Sequence, residues 1–517
     1  MPAAQKITAL RGMRDVFSAE YAQRREIQAR LEGHLLRHSY VPIELPILEN
    51  TELYLRKSGE DIASRLYEFD FKSRRIALRP ELTASILRAY VEHLQDEPLP
   101  LRIQYAGPVF RYEKPQHNRF RQFTVSGAEV LGAAGPLADA EILYLACSGL
   151  AALGLRKPRL VVGHSQILEG YLTSLGLRRQ LLNYLLRNME NVRKRGMEAV
   201  IDSLHALYPD LEGLASADTD AGPGDGFKSQ QLIALLREMS DDDAHQAVTD
   251  FLHSLNIRID TNRDQDEVID RLLHKIREDE QAPKVRTALA YMRKLSDLAG
   301  PATDVLARAR DLLAEYHADT SALDTLGETL AQLALFGELD AEVHLDLGLN
   351  RGLHYYTGLI FEIHCASDNG EDIQLCGGGR YNNLVSILGG SEPTPAAGFA
   401  YGIERIASVL DAGDRLSLNR PQVYVIPVAE AEVASCLRLA SDLRARQLMV
   451  EVGLDDRNLR RSLKHADRKG VAAVVIVGER EREQGVVLLR DMRSRQELTV
   501  PLGDVPDVVT KVLSDDD

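Results

Sequence analysis

The sequence predicts an α+β protein that ends in a smaller α/β module. Two strand-like stretches, 101–112 and 120–131, flank a polar loop at 113–119 and so indicate antiparallel pairing. A mostly helical segment follows from about residue 157 to residue 340, after which strand signals return. Strands and helices then alternate near the C-terminus, which is typical of an α/β fold. The length agrees with this division, because 517 residues suffice for about three domains.

Hydrophobic periodicity places the individual elements. Ile27, Leu31 and Leu35 recur at helical spacing, which predicts an amphipathic helix over 19–38. Strands are predicted at 343–347 and 355–364, with a helix from about Ile403. The C-terminal module is predicted to contain three strands and two helices in alternation, at 423–428, 430–446, 449–452, 458–469 and 471–477.

Two polar segments, 216–226 and 411–420, are predicted to be linkers because they are rich in Gly, Pro, Ser and Asp. The Asp218 and Asp220 pair in the first segment also resembles the start of a calcium-binding loop. Gly222 and Ser229 stand where that loop needs a side-chain oxygen and a glutamate, so calcium is not expected.

Composition excludes several classes of protein. Hydrophobic residues make up 44% and charged residues 27%, as in globular chains with real cores. No run of about 18 apolar residues predicts a membrane span, and the first ten residues lack a signal-peptide pattern. The four cysteines have no CxxC spacing, which disfavours zinc and favours a reducing cytoplasm. The net charge of -15 disfavours indiscriminate nucleic-acid binding, although 438–495 carries 14 Lys/Arg against 9 Asp/Glu and could contact RNA locally.

Several arginines are candidates for binding phosphate. Arg111, Arg119 and Arg121 lie on the predicted strands and their connecting loop, where planar guanidinium groups could converge on one phosphate chain. Phe123 could stack on an adenine ring. Arg405 follows two glycines, Gly398 and Gly402, which would allow close backbone approach to a ligand. The alternatives are surface ion pairs for the first arginines and a solvent-exposed helix-terminal residue for Arg405.

A third motif is 351–358 (RGLHYYTG). Tyr355 and Tyr356 are adjacent on a predicted strand and should point to opposite faces, so that one can line a pocket while the other packs. Arg351 could stabilise charge that develops on a transferred phosphoryl group. The alternative is an ordinary half-buried strand with core tyrosines.

Two carboxylates stand among apolar residues, Glu81 in 78–83 (LRPELT) and Glu129 in 126–129 (SGAE). Such carboxylates are costly unless paired, and an ammonium or imidazolium ligand would be a suitable partner. The alternative is an internal arginine partner. The glycine run in 376–380 (CGGGR) lacks the spacing of a dinucleotide-binding fingerprint.

The order of these motifs resembles the histidyl-tRNA synthetase family over roughly 8–155 and 340–500. Residues 41–49 (VPIELPILE), 110–121 (FRYEKPQHNRFR) and 398–405 (GFAYGIER) are similar to motifs 1, 2 and 3 of class II aminoacyl-tRNA synthetases. Residues 351–356 (RGLHYY) resemble the histidine-specific signature of the family. Further similarities are 79–81 (RPE), 379–381 (GRY) and, in the anticodon-binding domain, 462–467 (SLKHAD) and 477–479 (VGE).

The resemblance implies a class II catalytic domain with an antiparallel sheet in 1–156 and 341–412, a mostly helical insertion in 157–340 and an α/β anticodon-binding domain in 421–512. It also implies a cytoplasmic homodimer, formed through motif 1, with no membrane association. The implied activity is that of a histidine–tRNA ligase, whose partners are L-histidine, ATP and tRNA(His). Mg²⁺ would accompany ATP, with no metal held by the protein alone.

The resemblance also implies roles for individual residues. ATP would be held by Arg111, Glu113, Arg119, Phe123 and Arg405. Histidine would be bound by Glu81, Thr83, Glu129, Tyr355, Tyr356 and Arg351. Arg351, Arg111 and Arg405 would be the catalytic residues, and Gln116 would lie near the tRNA acceptor end.

Three residues depart from the family pattern: Val125 replaces a glutamine, His354 an aspartate and Leu82 a glycine. These departures leave two alternatives open. The chain could be the histidine-sensing regulatory subunit of ATP phosphoribosyltransferase, which shares the catalytic fold, or a non-catalytic relative of the synthetases. The C-terminal module, Arg351 and Arg405 favour the synthetase.

Overall fold

The structure is a computed structural model that describes residues 7–58, 64–113, 120–208, 239, 241–254, 269, 281–349, 355–367, 369–410, 422–454 and 458–514. These residues divide into two compact units. The first is drawn from Met1–Asp15 and Ile27–Asp411, and the second from Val16–Glu26 and Ala412–Asp517. The predicted linkers 216–226 and 411–420, and with them the rejected calcium loop, lie outside the described residues.

A large sheet forms the framework of the first unit. The two long strands Leu101–Phe110 and Gln122–Leu131 pair antiparallel over their whole length, which confirms the predicted pairing. Within the described residues the sheet has nine strands, which are, from one edge to the other, Val41–Pro42, Leu101–Phe110, Gln122–Leu131, Ala396–Gly402, Asp372–Arg380, Leu359–Ala366, Arg159–His164, Glu342–Asp346 and Ala299–Pro301. A smaller sheet contains Leu48–Asn50, Arg74–Leu78 and Tyr67–Phe71, in that order.

Helices pack against both faces of the large sheet. Ile27, Leu31 and Leu35 are buried against it, which confirms the amphipathic helix predicted near the N-terminus. The helices described up to residue 410 are Ser18–Arg37, Thr51–Ser58, Thr83–Ala89 with the π turn Tyr90–Leu94, Pro136–Ala152, Ser165–Ser174, Arg179–Arg195, Met197–Leu207, Asp241–Ser254, Gln281–Ser296, Ala302–Glu315, Ser321–Leu335, Leu384–Ile387 and Ile403–Val409.

Strand alternation gives the large sheet two different faces. Ala128 and Val130 point into the main apolar core beneath the helices. Val125 and Leu131 point to the opposite face, where they join a second and smaller apolar cluster that includes Tyr105. Glu129 has the same parity as Val125 and Leu131, so alternation places it on this second face.

The segment 157–340 is helical in much of its described part, but it also contributes strands to the large sheet. Arg159–His164 lies between Leu359–Ala366, with which it is antiparallel, and Glu342–Asp346, with which it is parallel. Leu160 and Val162 in this strand are buried in the main core. The apolar part of this strand, 160–163, is too short to be told from a piece of buried helix by periodicity alone, which is why the sequence did not reveal the strand.

The second unit contains a mixed sheet with an apolar cluster on each face. In spatial order its strands are Val450–Val452, Val423–Pro427, Ala473–Val477, Val486–Asp491 and Glu497–Pro501. The first three are parallel and confirm the predicted α/β alternation, whereas the last two extend the sheet antiparallel. The helical elements of the C-terminal part are Glu430–Glu432 (3₁₀), Val433–Ala445, Leu459–Lys469, Glu479–Gln484, Leu502–Asp504 (3₁₀) and Val505–Ser514.

Local capping explains where one of these helices begins and ends. The Asn458 side chain accepts a hydrogen bond from Arg461 N at the start of Leu459–Lys469. Gly470 ends the helix in a left-handed conformation, with a φ of 65°. Across the described residues, no helix combines the length and apolar character that a membrane span requires.

Candidate active site

Glu129 lies at the centre of the second face of the large sheet. Its carboxylate accepts hydrogen bonds from Thr83 Oγ1, at 2.7 Å, and from the Tyr381 hydroxyl. The Tyr105 hydroxyl lies 3.2 Å from Glu129 Oε1. Hydroxyl groups therefore solvate this buried carboxylate among the described residues, in place of the internal arginine that the sequence left as an alternative. We call Glu129, Thr83, Tyr105 and Tyr381 the Glu129 cluster.

Two glycines make room for the cluster on the sheet. Gly398 lies opposite Glu129 in the neighbouring strand, and a Cβ atom at this position would come within 1.4 Å of Glu129 Oε2. Gly127 lies opposite Tyr105, where a Cβ atom would come within 2.7 Å of the Tyr105 hydroxyl. The sequence predicted that Gly398 allows a ligand to approach the backbone. In the structure, the space above Gly398 holds a side chain of the protein itself.

Glu81 lies beside the cluster, at the start of the helix Thr83–Ala89. Its Oε1 accepts a hydrogen bond from Ala84 N at 3.1 Å, which restrains the carboxylate at the positive end of the helix. Arg79 anchors the preceding turn, because it donates to the carbonyl oxygens of Leu45 and Pro108. The Glu81 side chain is 17% exposed, so it remains accessible to a ligand.

The ion-pair partner of Glu81 is Lys57, a residue to which the sequence analysis gave no role. Lys57 Nζ lies 2.9 Å from Glu81 Oε2, and only 2% of the lysine side chain is exposed. The same ammonium group sits over the Tyr355 ring, 4.2 Å from its centroid, where it makes a cation–π contact. A buried cation therefore joins the carboxylate to one of the predicted histidine-binding tyrosines.

Tyr355 and Tyr356 do not lie on a strand, contrary to the prediction for 355–364. The strand begins at Leu359, and the two rings lie together, with centroids 4.5 Å and hydroxyl oxygens 3.4 Å apart. Alternation applies only to extended backbone, so the prediction that the rings point to opposite faces is wrong. Their centroids lie 6.0 and 6.5 Å from that of Tyr381, which places both tyrosines next to the Glu129 cluster.

Burial dominates the electrostatics of the cluster. It raises the pKa of Glu129 to about 7, against the opposing effects of hydrogen bonds from Tyr381 and Thr83 and of the Lys57 charge. Burial also raises the pKa of Tyr105 and of Tyr381 well above the usual range, so both hydroxyl groups stay protonated. The Glu129 carboxyl therefore changes its charge near neutral pH. Since only 1% of the residue is exposed, a ligand can reach its oxygens only if surrounding side chains move.

Two of the residues predicted to bind ATP, Arg111 and Phe123, lie next to the Glu129 cluster. The Arg111 guanidinium sits over the Phe123 ring, 5.3 Å from its centroid, and Arg111 Nε donates to Pro80 O at 2.8 Å. Strand alternation puts Phe123 and Glu129 on one face. The bond to Pro80 joins the arginine to the turn that presents Glu81, so the two predicted subsites are adjacent.

Arg405 lies in the first turn of Ile403–Val409, and this helix begins where the sequence predicts it. Its Nη1 donates to Gln374 O at 2.9 Å. A Cβ atom on Gly402 would meet Arg405 Cδ at 3.4 Å, so the arginine packs on that glycine. Gly402 lies opposite Val125 in the adjacent strand, which puts Arg405 on the face that carries the Glu129 cluster.

Glu113 and Arg121 have partners within the protein. The Glu113 carboxylate lies 3.8 Å from Arg65 Nη1. The Arg121 guanidinium sits over the Tyr112 ring, 4.1 Å from its centroid, and its Nε donates to Glu113 O. Four other residues singled out from the sequence lie outside the described part of the chain: Gln116, Arg119, Arg351 and His354. Their roles remain predictions.

Two of the departures from the family pattern have defined surroundings. Val125 and Leu82 are both buried in the apolar cluster that also contains Tyr105, Tyr356 and Tyr381. Neither side chain can form a hydrogen bond, so they add apolar contacts beneath the site.

The sequence assigned no role to Lys57, Tyr105 or Tyr381, although Tyr381 lies in one of the motifs that resemble the family. A signal for Lys57 exists in the helix Thr51–Ser58, because it follows the buried residues Leu53 and Tyr54 at helical spacing. Tyr105 has a similar signal, because its strand parity matches that of Ile103 and Val109, which share its apolar cluster.

Comparison with known proteins identifies the family of the chain. The family model for histidyl-tRNA synthetase matches residues 12–406, and that for the anticodon binding domain matches 422–512. The histidine–tRNA ligase of Pyrococcus furiosus is 29% identical over 510 residues, 98% of this chain and 99% of the relative. That of Methanocaldococcus jannaschii is 31% identical over 485 residues, 93% of this chain and 94% of the relative.

Solved structures share the fold. Apo histidyl-tRNA synthetase from S. aureus has a TM-score of 0.62 at 22% identity, covering 98% of this chain and 100% of that one. The enzyme from Nostoc sp. PCC 7120 has a TM-score of 0.61 at 19% identity, with the same coverage. The sheet, the C-terminal module and the matched models define the class, that of the class II aminoacyl-tRNA synthetases. Within that class, the chain belongs to the histidyl-tRNA synthetase family, which uses ATP as a substrate.

Proposed function

We propose that this protein activates L-histidine with ATP and transfers it to tRNA(His). In the first step, a carboxylate oxygen of histidine attacks the α-phosphate, and the bond to the leaving pyrophosphate breaks. In the second, the 3′-terminal hydroxyl of the tRNA attacks the adenylate carbonyl and releases AMP. The observation that carries the proposal is that Glu81 and the Glu129 cluster lie next to Arg111, on the face of the sheet that also carries Arg405.

The described residues suit the groups of histidine. Glu81 offers a carboxylate to the α-ammonium group. Thr83 spends its single hydroxyl proton on Glu129, so its oxygen can still accept a hydrogen bond from that ammonium. Glu129 and Tyr356 would bind the two imidazole nitrogens, one as acceptor and the other as donor. Hydrogen bonds to both nitrogens would reject apolar analogues strongly.

On the ATP side, Phe123 would stack on adenine, while Arg111, Glu113, Arg119 and Arg405 would hold the nucleotide. Arg351 would stabilise charge on the α-phosphate, and Tyr355 would line the amino-acid pocket. Positioning and electrostatic stabilisation would supply much of the rate enhancement. Gln116 would lie near the tRNA acceptor end, and the C-terminal module would bind splayed anticodon bases.

Mg²⁺ is proposed as part of the nucleotide substrate. Within the described residues, no group of three or more His, Cys, Asp or Glu side chains could hold a metal ion. The phosphate oxygens of ATP would carry the ion into the site, where it would offset their negative charge. We further propose that the enzyme acts as a homodimer through the motif 1 segment 41–49, in the cytoplasm with the rest of the translation machinery.

Histidine-dependent exchange of pyrophosphate into ATP tests the proposal. We expect exchange with L-histidine and none with phenylalanine or leucine at the same concentration, because only histidine offers two ring nitrogens. Absence of exchange, together with stimulation of an ATP phosphoribosyltransferase by the protein, would establish the regulatory alternative. Binding of tRNA without either activity would establish the non-catalytic one.

The pH dependence of exchange follows from the raised pKa of Glu129, about 7. Above this pH the carboxylate can accept a ring N–H, so kcat/KM for histidine should rise several-fold between about pH 6 and pH 8. The ring of free histidine also loses its proton, with a pKa of about 6.5. The pH profiles of kcat/KM for the wild type and for Glu129→Gln separate the ionisation of Glu129 from that of the substrate ring. The variant should keep only the step near about 6.5, which belongs to the ring. Identical profiles would contradict the role of Glu129.

A further inference from the structure

Lys57 is a buried cation in the amino-acid site, and its surroundings hold it there. Its side chain is 2% exposed, and its ammonium is fixed between Glu81 Oε2, at 2.9 Å, and the Tyr355 ring. In the helix Thr51–Ser58, Lys57 follows the buried residues Leu53 and Tyr54 by one helical turn. The aliphatic part of the lysine side chain therefore lies on the same side of the helix as these two residues. Withdrawal of the ammonium into solvent would require this helix to move.

The Glu81 carboxylate is thereby held from two sides. Ala84 N donates to Oε1 at 3.1 Å, while Lys57 pairs with Oε2. A carboxylate has about four acceptor positions, so both oxygens can still accept a hydrogen bond from an incoming ammonium. With two sides fixed, the remaining acceptor positions have a single orientation, and the ligand does not have to order the carboxylate when it binds.

Lys57 also offsets the repulsion between two neighbouring carboxylates. The charge of Glu81 raises the pKa of the buried Glu129 carboxyl, and the charge of Lys57 lowers it. The lysine therefore acts on both carboxylates of the site, and its direct ion pair is with Glu81.

We propose that Lys57 is a positioning residue for amino-acid recognition, which holds the Glu81 carboxylate in the orientation that receives the substrate's α-ammonium group. The inference rests on the proposed function and names the device by which the site is prepared for its substrate. It predicts an effect on histidine that is absent for an analogue without the amino group.

The test measures ATP–pyrophosphate exchange in Lys57→Met, Lys57→Arg and Arg56→Met. Arg56 is the neighbouring residue on the same helix, and its exposed side chain pairs with Glu52. We expect Lys57→Met to raise KM for histidine about tenfold with little change in KM for ATP, because one charge-assisted contact is misplaced. Lys57→Arg should restore most of the affinity, and Arg56→Met should match the wild type.

Inhibition by 3-(imidazol-4-yl)propionate, which lacks the α-amino group, separates positioning from general loss of structure. Its inhibition constant should be the same in the wild type and in Lys57→Met. If Lys57→Met weakened the binding of histidine and of the analogue equally, the inference would be overturned. An unchanged or lower KM for histidine would also overturn it, because a lower KM would mean that Lys57 competes with the substrate's ammonium group. If Lys57→Met does not fold, Lys57→Gln replaces it, because the amide keeps a hydrogen-bond donor beside Glu81 while removing the positive charge. This variant should have a raised KM for histidine and unchanged analogue binding. Absence of exchange in the wild type would instead refute the proposed function.

Discussion

Glu129→Gln should lower kcat/KM for histidine in pyrophosphate exchange by roughly 100-fold. The substitution keeps the shape of the side chain but removes the charge that would accept the imidazole N–H. A hydrogen bond to a charged group contributes up to about 3 kcal/mol, and each 1.4 kcal/mol corresponds to about tenfold in rate. KM for ATP should change little, because the nucleotide residues Arg111 and Phe123 do not depend on this carboxylate.

Thermal unfolding distinguishes this loss from misfolding. Because the pKa of Glu129 is raised from 4.5 to about 7, its ionisation costs folding stability as pH rises through that window, and the cost is complete above it. At about pH 8 the glutamine variant should therefore be at least as stable as the wild type. Glu141→Gln is the matched control, since Glu141 pairs with Arg102 in a part of the unit to which no catalytic role is assigned. If the Glu129→Gln variant kept wild-type activity, Glu129 would not be a histidine-binding residue.

Gly398→Ala should have a comparable effect on activity, although it introduces only one methyl group. That group would lie 1.4 Å from Glu129 Oε2, so the carboxylate or the strand must move. Overpacking of this kind typically costs about 1–3 kcal/mol of stability. Displacement of Glu129 should also lower histidine activation by roughly 100-fold, because Tyr381 and Thr83 lose their shared acceptor.

Gly327→Ala provides the same substitution without the overlap. A Cβ atom at Gly327, within the helix Ser321–Leu335, meets nothing within 4 Å. This variant should keep full activity and be as stable as the wild type or more so, because alanine favours helix. Equal activity of the two variants would show that the space above Gly398 is not needed by Glu129.

The features that the sequence predicted correctly have a long or regular pattern. The hairpin of Leu101–Phe110 and Gln122–Leu131 and the alternating C-terminal module follow from periodicity sustained over many residues. The carboxylates Glu81 and Glu129 were singled out for a different reason, because charge among apolar residues requires a partner, and their role in binding histidine stays a prediction. Their proximity through Thr83 follows from the fold, which local pattern does not specify.

The features that the sequence did not reveal depend on contacts between distant segments. Lys57 precedes its partner Glu81 by 24 positions and carries no motif of its own. The tyrosines at 355 and 356 were predicted to lie on a strand, yet extended pairing begins only at Leu359. Gly398 was predicted to allow a ligand to approach the backbone. A glycine shows that space is needed at its position, but it does not show which group fills that space.

A crystal structure with L-histidine bound tests the central claim most directly, namely that the Glu129 cluster and Glu81 form the amino-acid site. We expect the α-ammonium group within hydrogen-bonding distance of Glu81 and Thr83, and a ring nitrogen within the same distance of Glu129. The side chains that now cover Glu129 should have moved aside. A histidine bound elsewhere, or an unchanged and empty cluster in crystals of the histidine-saturated enzyme, would contradict the account.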